Sequence, residues 1–140
     1  MKQTGFSMIE LLVAMVIGAI LLAIALPMYQ NYVLQSRRTE AINALLELAS
    51  REASYYVANN SYVSSLTTLG YSADPSSING DYNLSVKSLT DSNGNSGFTL
   101  QAVPTGNQVN DTTCATFTLD SLGIKNVSGA TGTAASCWGY

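Results

Sequence analysis

The chain has 140 residues, of which 46% are hydrophobic and only 11% charged, with a formal net charge of −3 and no histidine. This length suffices for one small domain beside a long helix. Without histidine the chain lacks the commonest general base and metal ligand, so catalysis by a Ser–His triad is excluded. The acidic balance argues against a general nucleic-acid binder, because a phosphate-binding surface needs clustered basic residues.

A long apolar segment occupies the N-terminal part of the chain. From Leu11 to Leu26 there is no charged or strongly polar side chain, and Glu10 is the one interruption back to Met8. A membrane-spanning helix needs about twenty such residues, so we predict a membrane-inserted helix over residues 6–32. A carboxylate in such a helix costs roughly 2.5–3.5 kcal/mol on insertion scales, which predicts a cationic partner for Glu10.

The residues around this helix resemble the N-terminal signature of a type IV prepilin. Phe6 follows Gly5, Glu10 lies four residues after Phe6, and Ala25-Leu26-Pro27 precedes Tyr29-Gln30-Asn31-Tyr32. The resemblance implies a leader of residues 1–5, cleavage between Gly5 and Phe6 by a prepilin peptidase, N-methylation of Phe6, and assembly of the mature helices into a fibre. It also implies that Glu10 meets the amine of Phe6 on a neighbouring subunit, where an ion pair sets register more than it adds stability.

The same resemblance implies two locations and several partners. The precursor would be a single-pass inner-membrane protein with its head in the periplasm, and the assembled subunit would lie in the pilus at the cell surface. The implied partners are other pilin subunits, the prepilin peptidase, the inner membrane and the pilus assembly platform. DNA is a further candidate partner that the charge of the chain does not support.

A secretory signal peptide and a plain membrane anchor are the alternatives for the apolar segment. A signal peptide has a positive n-region, a shorter apolar core and a small-residue cleavage site after that core. Here Lys2 is the only leader charge, and Pro27-Met28-Tyr29 follows the core. A plain anchor leaves Glu10 unexplained, because intramembrane carboxylates usually have partners.

Gly18 and Pro27 predict weak points in the apolar helix. Glycine costs about 1 kcal/mol relative to alanine in an exposed helix. Proline cannot donate to the carbonyl of Ala23 and its ring crowds that turn, so we expect a kink or a local break near residues 23–27. The resemblance implies that the helix loosens at these residues during fibre assembly.

Residues 33–58 predict an amphipathic continuation of the helix, the first part of a head domain. Glu47 and Arg51 stand four residues apart in the favourable order for an ion pair. The helix should end near Ala58, at Asn59-Asn60, because asparagine tolerates the left-handed conformation of a helix stop. The apolar stripe is expected to comprise Ile42, Leu45, Leu46, Ala49, Ala53 and Tyr56.

The remaining residues, 59–140, predict a long loop followed by a small sheet. Residues 61–80 are rich in Ser, Thr, Gly and Pro and predict a loop packed on the head. Alternation of apolar and polar residues then predicts four antiparallel strands, which bury their apolar face against the helix stripe in an α+β head. The strands are expected at Tyr82–Lys87, Phe98–Ala102, Ala115–Asp120 and Ile124–Val127.

Cys114 and Cys137 predict one disulfide, because two distant cysteines in a chain with an export signature pair in an oxidising compartment. Closing a loop of about 24 residues should add roughly 3–4 kcal/mol of stability. Residues 128–136 are too small and polar to pack a core, so the tail would be loose without this bond. Trp138 is expected to pack beside it. The family resemblance implies a type IV pilin fold with a disulfide-closed C-terminal loop.

No residues with the pattern of a catalytic site are evident, so the chain is predicted not to be an enzyme and to need no cofactor or metal. The alternation of Asp91, Asn93 and Asn95 could offer oxygen ligands to calcium, but the loop lacks the bidentate glutamate of such sites. The soluble aspartates fall mostly in turn-like sequence, where aspartate caps the local backbone. They are Asp74, Asp81, Asp91, Asp111 and Asp120.

These features predict a structural subunit of a type IV pilus. The order of a hairpin, a cysteine, Thr118-Leu119-Asp120-x-x-Gly123 and a final Cys-Trp resembles the minor pilins of the PilE type, which implies a role in pilus assembly, motility or adhesion. The alternatives are a major pilin, a type II secretion pseudopilin, and a competence pilin that binds and imports DNA. The last would need at least a basic surface built from Arg51, Lys87 and Lys125.

Overall fold

A computed structural model describes residues 5–72 and 75–139. Residues 1–4 of the predicted leader, and Asp74, lie outside that description. The chain divides into two compact units, Met1–Gln35 and Ser36–Tyr140, and the second is called the head unit below. The predicted α+β pilin fold is confirmed. Its elements are the helix α1 (Met8–Asn59), β1 (Tyr82–Thr90), β2 (Ser96–Pro104), the 3₁₀ helix η1 (Gly106–Asn110), β3 (Thr116–Asp120), β4 (Lys125–Ser128) and the short helix α2 (Ala134–Trp138).

The N-terminal part of α1 is helical through both predicted weak points. The amide of Leu11 donates to the carbonyl of Ser7 at 3.1 Å, at the start of the helix. Helix then continues over residues 8–59 with Pro27 inside it. The local break expected near residues 23–27 is therefore absent from this helix. A kink there, and loosening during assembly, stay predictions.

The C-terminal part of α1 buries one line of side chains in the head unit. Ala41, Leu45, Leu48 and Glu52 lie on this line, at helical spacings of three and four. The predicted stripe lies partly beside this buried line. Leu45 is fully buried as predicted, but Leu46, Ala53 and Tyr56 are exposed. The apolar face of the helix is wider than the part that the sheet and loop bury. Apolar periodicity alone therefore could not show which side chains are buried. The buried line also includes a carboxylate, which a count of apolar residues omits.

The stop of α1 matches its prediction. The helix ends at Asn59, and Asn60 has a φ of 53°, the left-handed conformation that asparagine tolerates at a helix end. The chain then turns back into the loop that precedes β1.

The sheet has the order β1-β2-β3-β4 and is antiparallel throughout. Its register places Leu84, Ala102, Phe117 and Val127 in one row across the four strands. The four predicted strands are confirmed, with ends shifted by a few residues. Strand β1 is longer than predicted and reaches Thr90, because two irregularities in its pairing with β2, around Ser88, let the ladder continue past the alternating pattern.

The tail packs against the sheet as a short helix that the sequence pattern did not predict. Thr133 caps α2 and forms a reciprocal capping box with Ser136. The disulfide between Cys114 and Cys137 is present as predicted. Trp138 is only 7% exposed, which confirms its predicted packing. Its ring contacts Phe117 edge to face at 5.6 Å between centroids.

Candidate functional site

The N-terminal part of α1 presents a fully exposed apolar surface. An 18-residue window of this helix has a mean hydropathy of 2.8 and none of it is buried, so by length and composition it can cross a membrane. Phe6 is 85% exposed, and the large apolar side chains from Met8 to Tyr32 are exposed as well. An apolar surface of this extent needs a cover outside the chain, which lipid or other subunits can supply.

Glu10 lies in the first turn of this exposed helix. A carboxylate there interacts favourably with the positive end of the helix dipole. No cation within residues 5–72 and 75–139 forms an ion pair with it. The predicted pairing of Glu10 with the amine of Phe6 on a neighbouring subunit stays a prediction, as does processing at Gly5.

Gly5 and Gly18 are not closely packed by the part of the chain that the structure describes. A Cβ added at Gly5 or Gly18 would meet no atom of residues 5–72 and 75–139 within 4 Å. The role of Gly18 as a weak point of the helix stays a prediction.

Two consecutive arginines join the beginning of the head unit's helix to two separate loops. Arg37 pairs with Asp81 at 3.2 Å, just before β1. Arg38 donates from Nε and Nη2 to the carboxylate of Asp111, which follows η1. The sequence predicted these aspartates only as turn caps. Nothing in their local spacing indicated the partner, because Arg38 and Asp111 are 73 residues apart.

The Arg38–Asp111 pair is the centre of a buried polar network. Burial opposes the charge on Asp111, but the hydrogen bonds from Arg38 and from the backbone of Cys114 and Thr113 outweigh it and hold the pKa of Asp111 below its usual value. The Gln108 Nε2 donates to the Tyr82 hydroxyl at 2.9 Å and to Asp111 at 3.1 Å. Burial raises the pKa of Tyr82 to about 12, although the hydrogen bond with Gln108 lowers it in part.

This network leads directly into the disulfide loop. Asp111 accepts from the amides of Thr113 and Cys114 at 3.2 Å each. The carbonyl of Thr113 in turn accepts from the amide of Gly132 at 2.9 Å, on the other side of the loop. The segment closed by Cys114 and Cys137 is thus anchored both by its covalent bond and by a charged residue of α1.

A second aspartate ties two turns together at the opposite end of β3. Asp120 accepts from the amides of Ser92, Leu122 and Ile124 and from the Ser92 hydroxyl. Burial again opposes ionisation, and these hydrogen bonds outweigh it, so the pKa of Asp120 is lowered. The prediction of a turn-capping aspartate is confirmed here, with the addition that one carboxylate caps two turns.

The loop weighed as a calcium site has the geometry of a capped turn. One oxygen of Asp91 accepts from the amides of Asn93 and Asn95 at 2.8 and 2.9 Å. Within residues 5–72 and 75–139, no group of three or more His, Cys, Asp or Glu side chains is placed to hold a metal ion.

The three basic residues required for a DNA-binding surface are not brought together. Arg51 on α1 donates to Glu47 at 2.7 Å and to the carbonyl of Leu69 at 2.9 Å. Lys87 and Lys125 lie on β1 and β4, the two outer strands of the sheet. The Lys125 ammonium lies 5.5 Å from the centroid of the Trp138 ring.

Comparisons with known proteins agree with this architecture. Residues 1–26 match the prokaryotic N-terminal methylation motif, and residues 27–118 match the family described as the type IV minor pilin ComP, DNA uptake sequence receptor. The chain is 36% identical over 85 residues to a type IV major pilin protein PilE1 of Neisseria gonorrhoeae, a match that covers 61% of the chain and 47% of the relative. A fimbrial protein of Neisseria meningitidis serogroup B is 37% identical over 92 residues, covering 66% and 52%.

A third relative, the fimbrial protein EcpC of Eikenella corrodens, is 37% identical over 93 residues, covering 66% of the chain and 59% of the relative. The matches to these three curated relatives span about half of each relative's length. The predicted family is confirmed, because the two family matches together extend from the methylation motif into β3. The chain belongs to the type IV pilin family.

Proposed function

We propose that the chain is a minor subunit of a type IV pilus, incorporated through its N-terminal helix and supporting assembly, motility or adhesion. The observation that carries the proposal is the family match over residues 27–118, whose description names a minor pilin. The exposed apolar surface of α1 supports incorporation, because it needs a cover outside the chain. The relatives PilE1 are named major pilins, so abundance is the property to measure.

The test is quantitative mass spectrometry of filaments sheared from the cell surface. Two quantities are recorded, the form of the N-terminus and the copy number relative to the most abundant subunit. A minor pilin would be recovered at a few per cent or less and would begin at methylated Phe6. Recovery at equal stoichiometry would make this chain the major subunit. Absence from filaments, with residues 1–5 retained, would overturn the proposal in favour of a plain anchor.

A second candidate function is recognition of DNA, favoured by the words "DNA uptake sequence receptor" in the family description. The charge distribution limits how this chain alone could do so. Arg37, Arg38 and Arg51 each pair with a carboxylate. The other basic side chains of the described residues, Lys87 and Lys125, lie on separate outer strands of the sheet.

Binding of labelled duplex DNA by the detergent-solubilised protein, measured over a range of salt concentrations, tests this candidate. Each phosphate contact adds about −0.9 to the slope of log K against log salt. If Lys87 contacts a phosphate, Lys87→Ala should reduce the slope by about one contact, with Ile78→Ala as a control at an exposed uncharged position. No measurable binding at low salt would exclude the chain as a receptor on its own.

A further inference from the structure

Glu52 is a carboxylate buried where the head unit's helix meets the loop that follows it. It is 0% exposed and continues the buried line of Ala41, Leu45 and Leu48. Its Oε2 accepts from the amide of Val63 at 3.2 Å. Its Oε1 is buried and has no hydrogen-bond partner among the described residues. One amide donor offsets only part of the desolvation free energy of a buried, ionised carboxylate. Burying the neutral carboxylic acid costs much less free energy.

The segment that Glu52 contacts is the start of the loop between α1 and β1. Asn60 is left-handed after the helix ends at Asn59, and the amide of Val63 reaches Glu52, so the chain returns beside the last turns of the helix. Tyr62 stacks on Tyr56 at 4.6 Å between ring centroids and meets Phe98 of β2 edge to face at 5.3 Å. The Val63–Glu52 hydrogen bond is a polar contact of this docking, and Arg51 donates to the carbonyl of Leu69 further along the same loop. The loop start is therefore held by two ring contacts and by one bond whose acceptor can change its charge.

Few other charged or titratable groups lie on the elements that meet here. On α1, Arg51 pairs with Glu47, and Tyr55 lies one turn further on. The loop residues 61–72 contribute Tyr62 and Tyr71, and β2 contributes none. Burial raises the pKa of Glu52, and the Val63 amide lowers it only in part. Tyrosines stay neutral and arginine stays charged over the range where glutamate titrates, which leaves the two carboxylates. Glu47 contacts Arg51, which donates to the carbonyl of Leu69, whereas Glu52 contacts Val63, so we assign a pH response of residues 61–63 to Glu52.

We propose that Glu52 is a proton-sensitive latch that holds residues 61–63 against α1 when its carboxyl is neutral and favours their release when it ionises. In the released state the carboxylate is hydrated and regains an ordinary pKa. The docked state binds the proton more tightly, so docking is fully supported below the ordinary value of 4.5 and weakens as pH rises towards the raised value. Across this window the population of the released state increases by up to about tenfold per pH unit. The proposal does not depend on the proposed function.

Hydrogen exchange of the full chain in detergent micelles tests the latch. Exchange of residues 61–72 is measured at several pH values and corrected for the intrinsic pH dependence of exchange, with residues 41–48 of α1 as the internal reference. We expect protection of the loop start to fall with rising pH while the reference stays constant. Equal corrected protection at every pH would overturn the proposal.

Two variants and a direct titration complete the test. Glu52→Gln should abolish the pH dependence of loop protection, whereas Glu47→Gln, an exposed change on the same helix, should retain it. A pH dependence that survives in Glu52→Gln would refute the assignment to this residue. The carboxyl carbon of Glu52, observed by NMR in ¹³C-labelled protein, should titrate above the ordinary glutamate value of 4.5. A midpoint at that ordinary value would contradict the latch even if Glu52→Gln failed to fold.

Discussion

Arg38 and Asp111 form a two-pronged ion pair, with Nε to Oδ2 at 2.6 Å and Nη2 to Oδ1 at 2.8 Å. The Asp111 side chain is 1% exposed and that of Arg38 is 20% exposed, so the pair is largely shielded from water. Asp111 also accepts from the amides of Thr113 and Cys114. A single carboxylate thus fixes the distance between the long helix and the disulfide loop.

We expect Asp111→Ala to lower the free energy of unfolding of the head unit by about 3–5 kcal/mol, because it leaves a partly buried guanidinium and two amides without their acceptor. Asp81→Ala breaks the neighbouring pair with Arg37, which is more exposed, and should cost only about 1 kcal/mol. Urea unfolding can be followed by the fluorescence of Trp138, the single tryptophan. Equal losses of unfolding free energy in the two variants would show that burial of the Arg38–Asp111 pair adds nothing to stability.

A second prediction concerns stability in acid. The pKa of Asp120 is lowered in the folded chain, since its hydrogen bonds outweigh burial. Its contribution is fully present above the ordinary value of 3.8 and is lost as pH falls through the lowered value. We therefore expect the free energy of unfolding to fall between about pH 5 and about pH 2, and to fall less steeply in Asp120→Asn.

The control for this pH series is Asp81→Asn, which removes an aspartate that pairs with Arg37 and caps no turn in the described structure. In Asp81→Asn, the free energy of unfolding should fall with decreasing pH more nearly as it does in the unsubstituted protein. If Asp120→Asn and the unsubstituted protein lose stability in parallel, the hydrogen bonds to Asp120 do not favour its ionised form.

Local patterns were sufficient to predict most of the fold, because its elements follow short-range rules. Alternation located four strands, asparagine marked the end of α1, and uniform apolarity marked the exposed helix. The helix α2 was missed because its five residues have no apolar periodicity, and its capping box is the one local signal that could have indicated it.

The polar contacts of the head unit could not be predicted in the same way. The pairing of Arg38 with Asp111 joins residues far apart in sequence, and only the folded chain brings them together. Glu52 was omitted from the buried stripe because carboxylates are rarely fully buried. Its spacing of four and seven from Leu48 and Leu45 places it on the buried line, so helical register was the available signal.

The disulfide supplies a third prediction. Replacing both Cys114 and Cys137 with alanine should lower the free energy of unfolding by roughly 3–4 kcal/mol, the chain-entropy value for a loop of this size. It should also reduce hydrogen-exchange protection in α2, whose last residues include Cys137 and Trp138. Thr133→Ala is the matched control, because it removes the cap of α2 and leaves the covalent bond, at a cost of about 1 kcal/mol. A similar loss of unfolding free energy in both variants would mean that the disulfide contributes no more to stability than the cap of α2.

The last prediction concerns Glu10. This carboxylate lies in the first turn of an exposed apolar helix and has no ion-pair partner among the described residues, so a partner must come from outside that part of the chain. We expect Glu10→Val to leave processing at Gly5 and membrane insertion intact, because inserting valine into a membrane costs less free energy than inserting a carboxylate. Incorporation into filaments should fall at least tenfold, measured as the ratio of sheared-filament protein to membrane protein. Glu10→Asp keeps the charge in a shorter side chain and should retain part of the incorporation, whereas normal incorporation of Glu10→Val would refute a pairing between subunits.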